Sequence, residues 1–194
     1  ALVGQSEAAL VDPAPLLALF PAALAAAPDE ATRLSLAVAR AGLAAHGMAL
    51  AHTHMRLNAS QVNNALRTRL GISGTADDMA SRRGLLAQVN QALAEVVPQP
   101  VDFGALLAEQ ASAARLMMTV AQITKHVDSS QPVRFLIAET ETGYTLLGAL
   151  WLARRFGIEK LVEISPLFET AEALERGDRV LEEALRSPHY GDYL

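Results

Sequence analysis

The chain contains no cysteine, which excludes disulfides and thiolate chemistry and gives no sign of an oxidising compartment. Aromatic residues make up only 5%, so the core has to be built from Leu, Ala and Val, a composition that favours helices. Basic runs are absent and the formal net charge is -5, which argues against nucleic acid as a partner. There is no Gly-rich phosphate loop, no nucleophile elbow, no zinc-ligand spacing and no repeat at solenoid spacing. A membrane-crossing run is missing too. The apolar stretch Leu16 to Ala27 is too short to span a bilayer, follows Asp12 instead of a basic flank, and lies among Pro13, Pro15, Pro21 and Pro28. It reads as a buried helix or two.

What is present is ample material for a core. At 194 residues with 51% hydrophobic content, the length fits a single domain. Pro28-Asp29-Glu30 opens a helix that continues to about His46, with Leu34, Leu36, Val38, Ala41 and Leu43 on a broad apolar face and Gly47 at its end. Met48 to Arg56 reads as a strand, and Gln61 to Leu70 as the helix after it, stopped by Gly71. Ser73 to Asp78 is a turn. Arg82 to Val97 is helical, Pro98 and Pro100 close that segment, and Asp102 caps a helix that reaches His126 with one interruption.

The most regular stretch is Phe135 to Thr170, which reads as strand, helix, strand. Residues 133 to 139 form the first strand, Tyr144 to Phe156 the helix, and residues 160 to 165 the second strand. Thr140 to Thr142 offer capping side chains, Arg154 and Arg155 complement the helix dipole, and Gly157 suits a left-handed C-terminal position. Such short links imply parallel strands that end at one edge of the sheet, the edge where parallel α/β proteins place their chemistry. A last helix spans Ala171 to Arg186, with a break at Arg176-Gly177-Asp178. The organisation is one partial domain over residues 1–194. It comprises a helical lead-in (1–47), a strand-helix unit (48–71), a helical insertion (72–132) and a strand-helix-strand-helix unit (133–194). The fold class is α/β and helix-rich, with parallel strands.

A carboxylate stands at the end of each strand of the regular unit. Glu169, after Pro166-Leu167-Phe168, has two readings: an oxygen ligand for a hard cation such as Mg2+, or a solvated acid beside a helix start. Glu139 shares both readings with a weaker claim. Arg56 has the planar fork that holds phosphate or carboxylate, although a surface ion pair is the commoner fate of a lone arginine. His52 and His54 fall on one strand face by period two, which suggests a metal pair, but no third ligand lies nearby. His46, His126 and His189 are helix-end residues.

The stretch Ile164-Ser165-Pro166-Leu167-Phe168-Glu169-Thr170-Ala171-Glu172-Ala173-Leu174 resembles the V-P-L-F-E-T-x-x-D-L segment of phosphoenolpyruvate carboxylases. Phe135 to Ala138 and Leu146 to Ala153 resemble that family's preceding strand and helix. His54-Met55-Arg56 and the helix carrying Ala65-Leu66 resemble its D-I-R-Q-E-S strand end and the helix after it. The resemblance runs from about Asp29 to Leu194, and the Phe-Glu-Thr block is its specific part. It implies part of a TIM-like barrel in a cytoplasmic, homo-oligomeric lyase that joins phosphoenolpyruvate and bicarbonate into oxaloacetate and phosphate with Mg2+ or Mn2+. By the same resemblance Glu169 is a metal ligand and Arg56 binds the phosphorylated substrate.

This chain departs from the family pattern at several places. Leu57-Asn58-Ala59 stand where the family has Gln, an acid and Ser, and Glu139-Thr140-Glu141 replace a methionine-containing strand end. The T-A-H-P-T-E, G-Y-S-D-S and F-H-G-R-G-G segments are not in this sequence. The expectation is therefore an internal excerpt of a carboxylase, inactive by itself. The alternative is a non-catalytic helical module, derived from the enzyme, that binds a protein partner.

Overall fold

A computed structural model describes residues 10–49, 51–72 and 79–194. The chain divides into two compact units, one made of the residues through Thr53 with Gln122–Pro132, the other of His54–Ala121 with Val133–Leu194.

In the first unit Pro15 and Pro21 sit in the opening turns of α1 (Ala14–Leu17) and α2 (Phe20–Ala25), where a missing N–H leaves nothing unpaired. Neither helix buries a residue, and Leu19 is 64% exposed. The expected buried helix is thus two surface helices, each too short to present a continuous apolar face. α3 (Glu30–His46) starts where the Asp29 carboxylate accepts the Thr32 N–H at 2.7 Å, and ends at Gly47. Its leucines and valine do not form a buried face: Leu34 and Val38 are each 64% exposed. Past Gly47 the chain turns, and the Asp128 carboxylate accepts the Ala49 N–H at 2.9 Å. That amide is lost to any strand ladder, which is why the expected strand at Met48 does not begin until His54.

The second unit holds a sheet of three parallel strands in the order β1 (His54–Asn58), β2 (Val133–Ala138), β3 (Val162–Pro166). Burial alternates along each strand. Met55, Leu57, Phe135, Ile137, Val162 and Ile164 are buried, whereas His54, Arg56, Asn58, Arg134 and Glu163 are exposed on the other face. The third strand starts at Val162, later than residue 160, because Glu159–Leu161 form a 3-10 turn.

α4 (Ala59–Leu70) follows β1 with no loop, its start fixed by the Gln61 side chain accepting the Asn58 N–H at 3.0 Å. α5 (Met79–Glu95) adds Leu85, Val89 and Leu93 to the core and packs on the helix Gly143–Arg155. The expected turn at Ser73–Asp78 lies outside the described residues. Asp102 caps α6 (Phe103–Ala108) by accepting the Ala105 N–H at 2.7 Å, and α7 (Ser112–His126) follows after a short interruption.

α8 (Gly143–Arg155) is the hub, buried continuously from Gly143 to Ala153 between neighbours on several sides. Its N-terminus is not capped by its own threonines. Instead, the buried Glu183 of α9 (Ala171–Leu185) accepts the Gly143 N–H at 3.1 Å. Only glycine permits this approach, since a Cβ on Gly143 would lie 2.6 Å from Glu183 Cβ and 2.8 Å from the Ala184 nitrogen. α9 runs through Gly177 without the expected break. That glycine gives room for the Phe168 ring, whose nearest carbon would be 3.1 Å from an added Cβ. The tail forms α10 (Pro188–Tyr193), and the Tyr193 hydroxyl donates to Val162 O at 2.6 Å and accepts the Ile164 N–H at 2.8 Å. One side chain thus satisfies two groups on the outer edge of β3.

Candidate functional site at the carboxyl edge of the sheet

Arg56 is the third residue of β1, on the exposed face, in register with Leu136 of β2 and through it with Ser165 of β3. Glu169 lies beyond the end of β3. Pairing continues past the strand ends, with the Leu167 N–H on Ile137 O at 2.9 Å and the Thr140 N–H on Leu167 O at 3.3 Å. This carries the Pro166–Glu169 segment along the carboxyl edge. The Thr170 hydroxyl then starts α9 by accepting the Ala173 N–H at 3.1 Å.

The outcome is a contact between residues 113 positions apart: Arg56 Nη2 stands 3.0 Å from Glu169 Oε1 and 3.1 Å from Oε2. One nitrogen straddles both oxygens, which leaves the rest of the guanidinium fork directed elsewhere. The pair is open to solvent, with side-chain exposures of 58% for Arg56 and 41% for Glu169.

Glu139 sits at the end of β2 with φ 56°, the one non-glycine residue with positive φ among the described residues. Such a conformation costs about 1–3 kcal/mol and collects at functional edges. The Thr140 hydroxyl donating to Ile137 O at 2.7 Å and the Thr140 N–H bond to Leu167 hold the turn in place. The Asn58 amide donates to Glu139 Oε2 at 3.4 Å, so the ends of β1 and β2 meet. Glu141, next along the loop, accepts from the Thr170 hydroxyl at 2.9 Å and ties the β2–α8 loop to the start of α9.

The histidine pair does not form. His52 precedes β1 and turns its ring edge-on to His46, 6.2 Å between centroids, while His54 is exposed at the start of the strand. Because His52 lies before the strand and only His54 within it, the strand's period-two alternation does not relate the two. His189 lies in α10, its Nδ1 3.1 Å from Arg154 Nη1. No group of three His, Asp or Glu residues suited to a metal ion occurs among the described residues. The chemistry of Glu169 does fit a single arm of a hard-cation site. Mg2+ keeps several waters and takes one or two carboxylates, and an exposed acid at the strand edge meets that need once it leaves Arg56.

Reading the sequence gave no partner across the fold to Asn58, Glu141 or Glu183. Asn58 was findable as the start of an Asn-x-x-Gln capping pattern. The partners of Glu141 and Glu183 lie across the fold, and local spacing carries no signal for them.

These features define a helix-rich parallel α/β protein with an arginine and acids gathered at the carboxyl edge of its sheet. The family model for phosphoenolpyruvate carboxylase matches residues 13–194, and the chain belongs to that family. A search of curated proteins finds no match. Phosphoenolpyruvate carboxylases depend on divalent metals and act on phosphoenolpyruvate and bicarbonate as a family. No helix among the described residues is long and apolar enough to cross a membrane.

Proposed function

We propose that this chain forms part of the catalytic edge of a phosphoenolpyruvate carboxylase, with Glu169 as a ligand of Mg2+ or Mn2+ and Arg56 holding the phosphorylated substrate. The observation that carries the reading is the meeting of Arg56 and Glu169 at 3.0 Å, across 113 residues, on the edge where parallel sheets do chemistry. Three parallel strands with helices covering the buried face of the sheet suit one arc of a TIM-like barrel.

The divalent ion, when bound, supplies charge neutralisation while a phosphoryl group passes to bicarbonate. Arg56 contributes orientation: its donors form a rigid fork that matches a phosphate. In the absence of ligands Arg56 and Glu169 neutralise one another at the surface. An exposed pair of this kind is worth about 0–1 kcal/mol, so exchanging it for a cation on one side and an anion on the other is energetically cheap.

The test uses the intact enzyme. Glu169→Gln keeps the shape and removes the charge, so Mn2+ affinity measured by titration should fall sharply while the fold is retained. Arg56→Lys substitutes a point charge for the fork, and should leave Mn2+ binding in place while raising KM for phosphoenolpyruvate. An unchanged Mn2+ affinity in Glu169→Gln overturns the assignment and leaves Glu169 as a solvated acid at a helix start.

A further inference from the structure

Glu169 is suspended between two anchors, and both lead back to the end of β2. On one side the Leu167 N–H reaches Ile137 O at 2.9 Å, and Leu167 O accepts the Thr140 N–H at 3.3 Å. On the other side stands Thr170, whose hydroxyl accepts the Ala173 N–H at 3.1 Å and donates to Glu141 Oε1 at 2.9 Å. An ionised carboxylate only accepts, so the single hydroxyl proton is spent on Glu141 and a lone pair faces the Ala173 amide. Donating to a carboxylate polarises the hydroxyl into a better acceptor, and each bond strengthens the other. The Thr170 side chain is thereby pinned between two elements.

Helix starts elsewhere in the chain do without such a tie. α3 and α6 are each capped by the carboxylate of one aspartate, Asp29 and Asp102, accepting directly from the first turn. At α9 a second residue, 29 positions back in the chain, holds the capping hydroxyl. That residue is a half-buried acid, and none of the ion pairs among the described residues includes it. Its carboxylate is committed to the hydroxyl beside Glu169 and not to a cation. The Arg56 contact cannot do the same work, because Glu169 gives it up when an ion binds.

We propose that Glu141 is a positioning residue for the divalent cation: acting through the Thr170 hydroxyl, it fixes the backbone that presents Glu169 at the carboxyl edge. The proposal rests on Glu169 being the metal ligand, as put forward above. Glu141 does not touch the ion. It supplies an acceptor oxygen in the right place, and its charge is incidental to the role. A ligand held in position before the ion arrives loses less freedom on binding, and the ion is bound more tightly for it.

The experiment titrates Mn2+ into the intact enzyme and reads hydrogen exchange at Ala173 in the metal-free protein. Two variants separate position from charge. Glu141→Asp keeps the charge and loses the reach, so it should weaken Mn2+ binding by about tenfold, the scale on which residues that orient metal ligands act, and speed exchange at Ala173. Glu141→Gln keeps an oxygen for the Thr170 hydroxyl and loses the charge, so it should retain the affinity and the slow exchange. In a Thr170→Val background Glu141→Asp should cost nothing further, because the hydroxyl through which it acts is gone. Gln weaker than Asp overturns the proposal, as does Asp and Val adding in full, or Mn2+ affinity unchanged in Glu141→Asp while Glu169→Gln loses it. Unchanged affinity in Glu169→Gln overturns the metal assignment and this proposal with it, so that variant tells the two failures apart.

Discussion

Replacing Glu183 by alanine tests how the carboxyl edge is held. Glu183 sits on α9 with its side chain 8% exposed, and it accepts from the Gly143 N–H at 3.1 Å, Arg179 Nε at 3.3 Å and Arg82 Nη1 at 3.5 Å. Its removal strands the first amide of α8 in a buried position, a loss of about 1–3 kcal/mol. It also strips the arginines of a buried counter-charge, and breaking a buried pair costs about 3–5 kcal/mol. The second figure needs discounting, because Arg179 is 40% exposed and the Arg82 contact is long. A total of about 2–4 kcal/mol follows, or roughly 4–16 °C in Tm at this chain size. Glu183→Gln keeps an oxygen for the Gly143 N–H and loses only the charge, so its cost should be about half. Urea unfolding followed by circular dichroism reads both variants. Glu183→Ala within about 0.5 kcal/mol of wild type, or Gln as damaging as Ala, would refute the argument that this carboxylate caps α8.

Burial pushes the Tyr190 hydroxyl up to about 12 from its ordinary 10.0, helped by Tyr193 beside it. The fold favours the neutral phenol, so its contribution of about 3 kcal/mol is fully present below pH 10 and lost as pH rises toward 12. Urea midpoints measured across that window should fall, and Tyr190→Phe should flatten the decline; a variant with the same slope as wild type refutes the assignment. A double-mutant cycle on Arg56→Ala and Glu169→Ala should give a stability coupling below about 1 kcal/mol, since the pair is exposed; a larger coupling would mark it as a structural bridge. The isolated chain should form no oxaloacetate from phosphoenolpyruvate, bicarbonate and Mn2+, because groups that act as a unit lose nearly everything when some are missing. Chelator-sensitive oxaloacetate above a no-enzyme control would overturn that expectation.

Where local chemistry decides structure, the sequence was readable. Val133–Ala138, Gly143–Arg155 and Val162–Pro166 came out within two residues of expectation because apolar runs, turn residues and the charge at helix ends all agree. Asp29 and Asp102 cap helices as their positions suggest. The failures share a cause in distant contacts. The strand expected at Met48 is cut short by Asp128, 79 positions from Ala49. The break expected at Gly177 is absent because that glycine accommodates the Phe168 ring. At the site, the family resemblance singled out Arg56 and Glu169, and the fold alone revealed that they touch.

The exposure of the Arg56–Glu169 pair bears on why it exists. A bridge selected to stabilise the sheet would be expected in a site from which water is excluded, as Glu183 is. This one stands in solvent, Arg56 on the exposed face of β1 and Glu169 beyond the end of β3, with one nitrogen shared between both carboxylate oxygens. Its energy is too small to hold the loop, which is held instead by the Leu167 N–H bond to Ile137, the Thr170 cap and the Phe168 ring over Gly177. The backbone positions Glu169 whether or not Arg56 is there. A charged side chain fixed by its backbone and only loosely matched to its partner is able to change partners without moving the fold. That is the property required of a carboxylate that gives up an arginine for a divalent cation, and of an arginine that gives up a carboxylate for a phosphate.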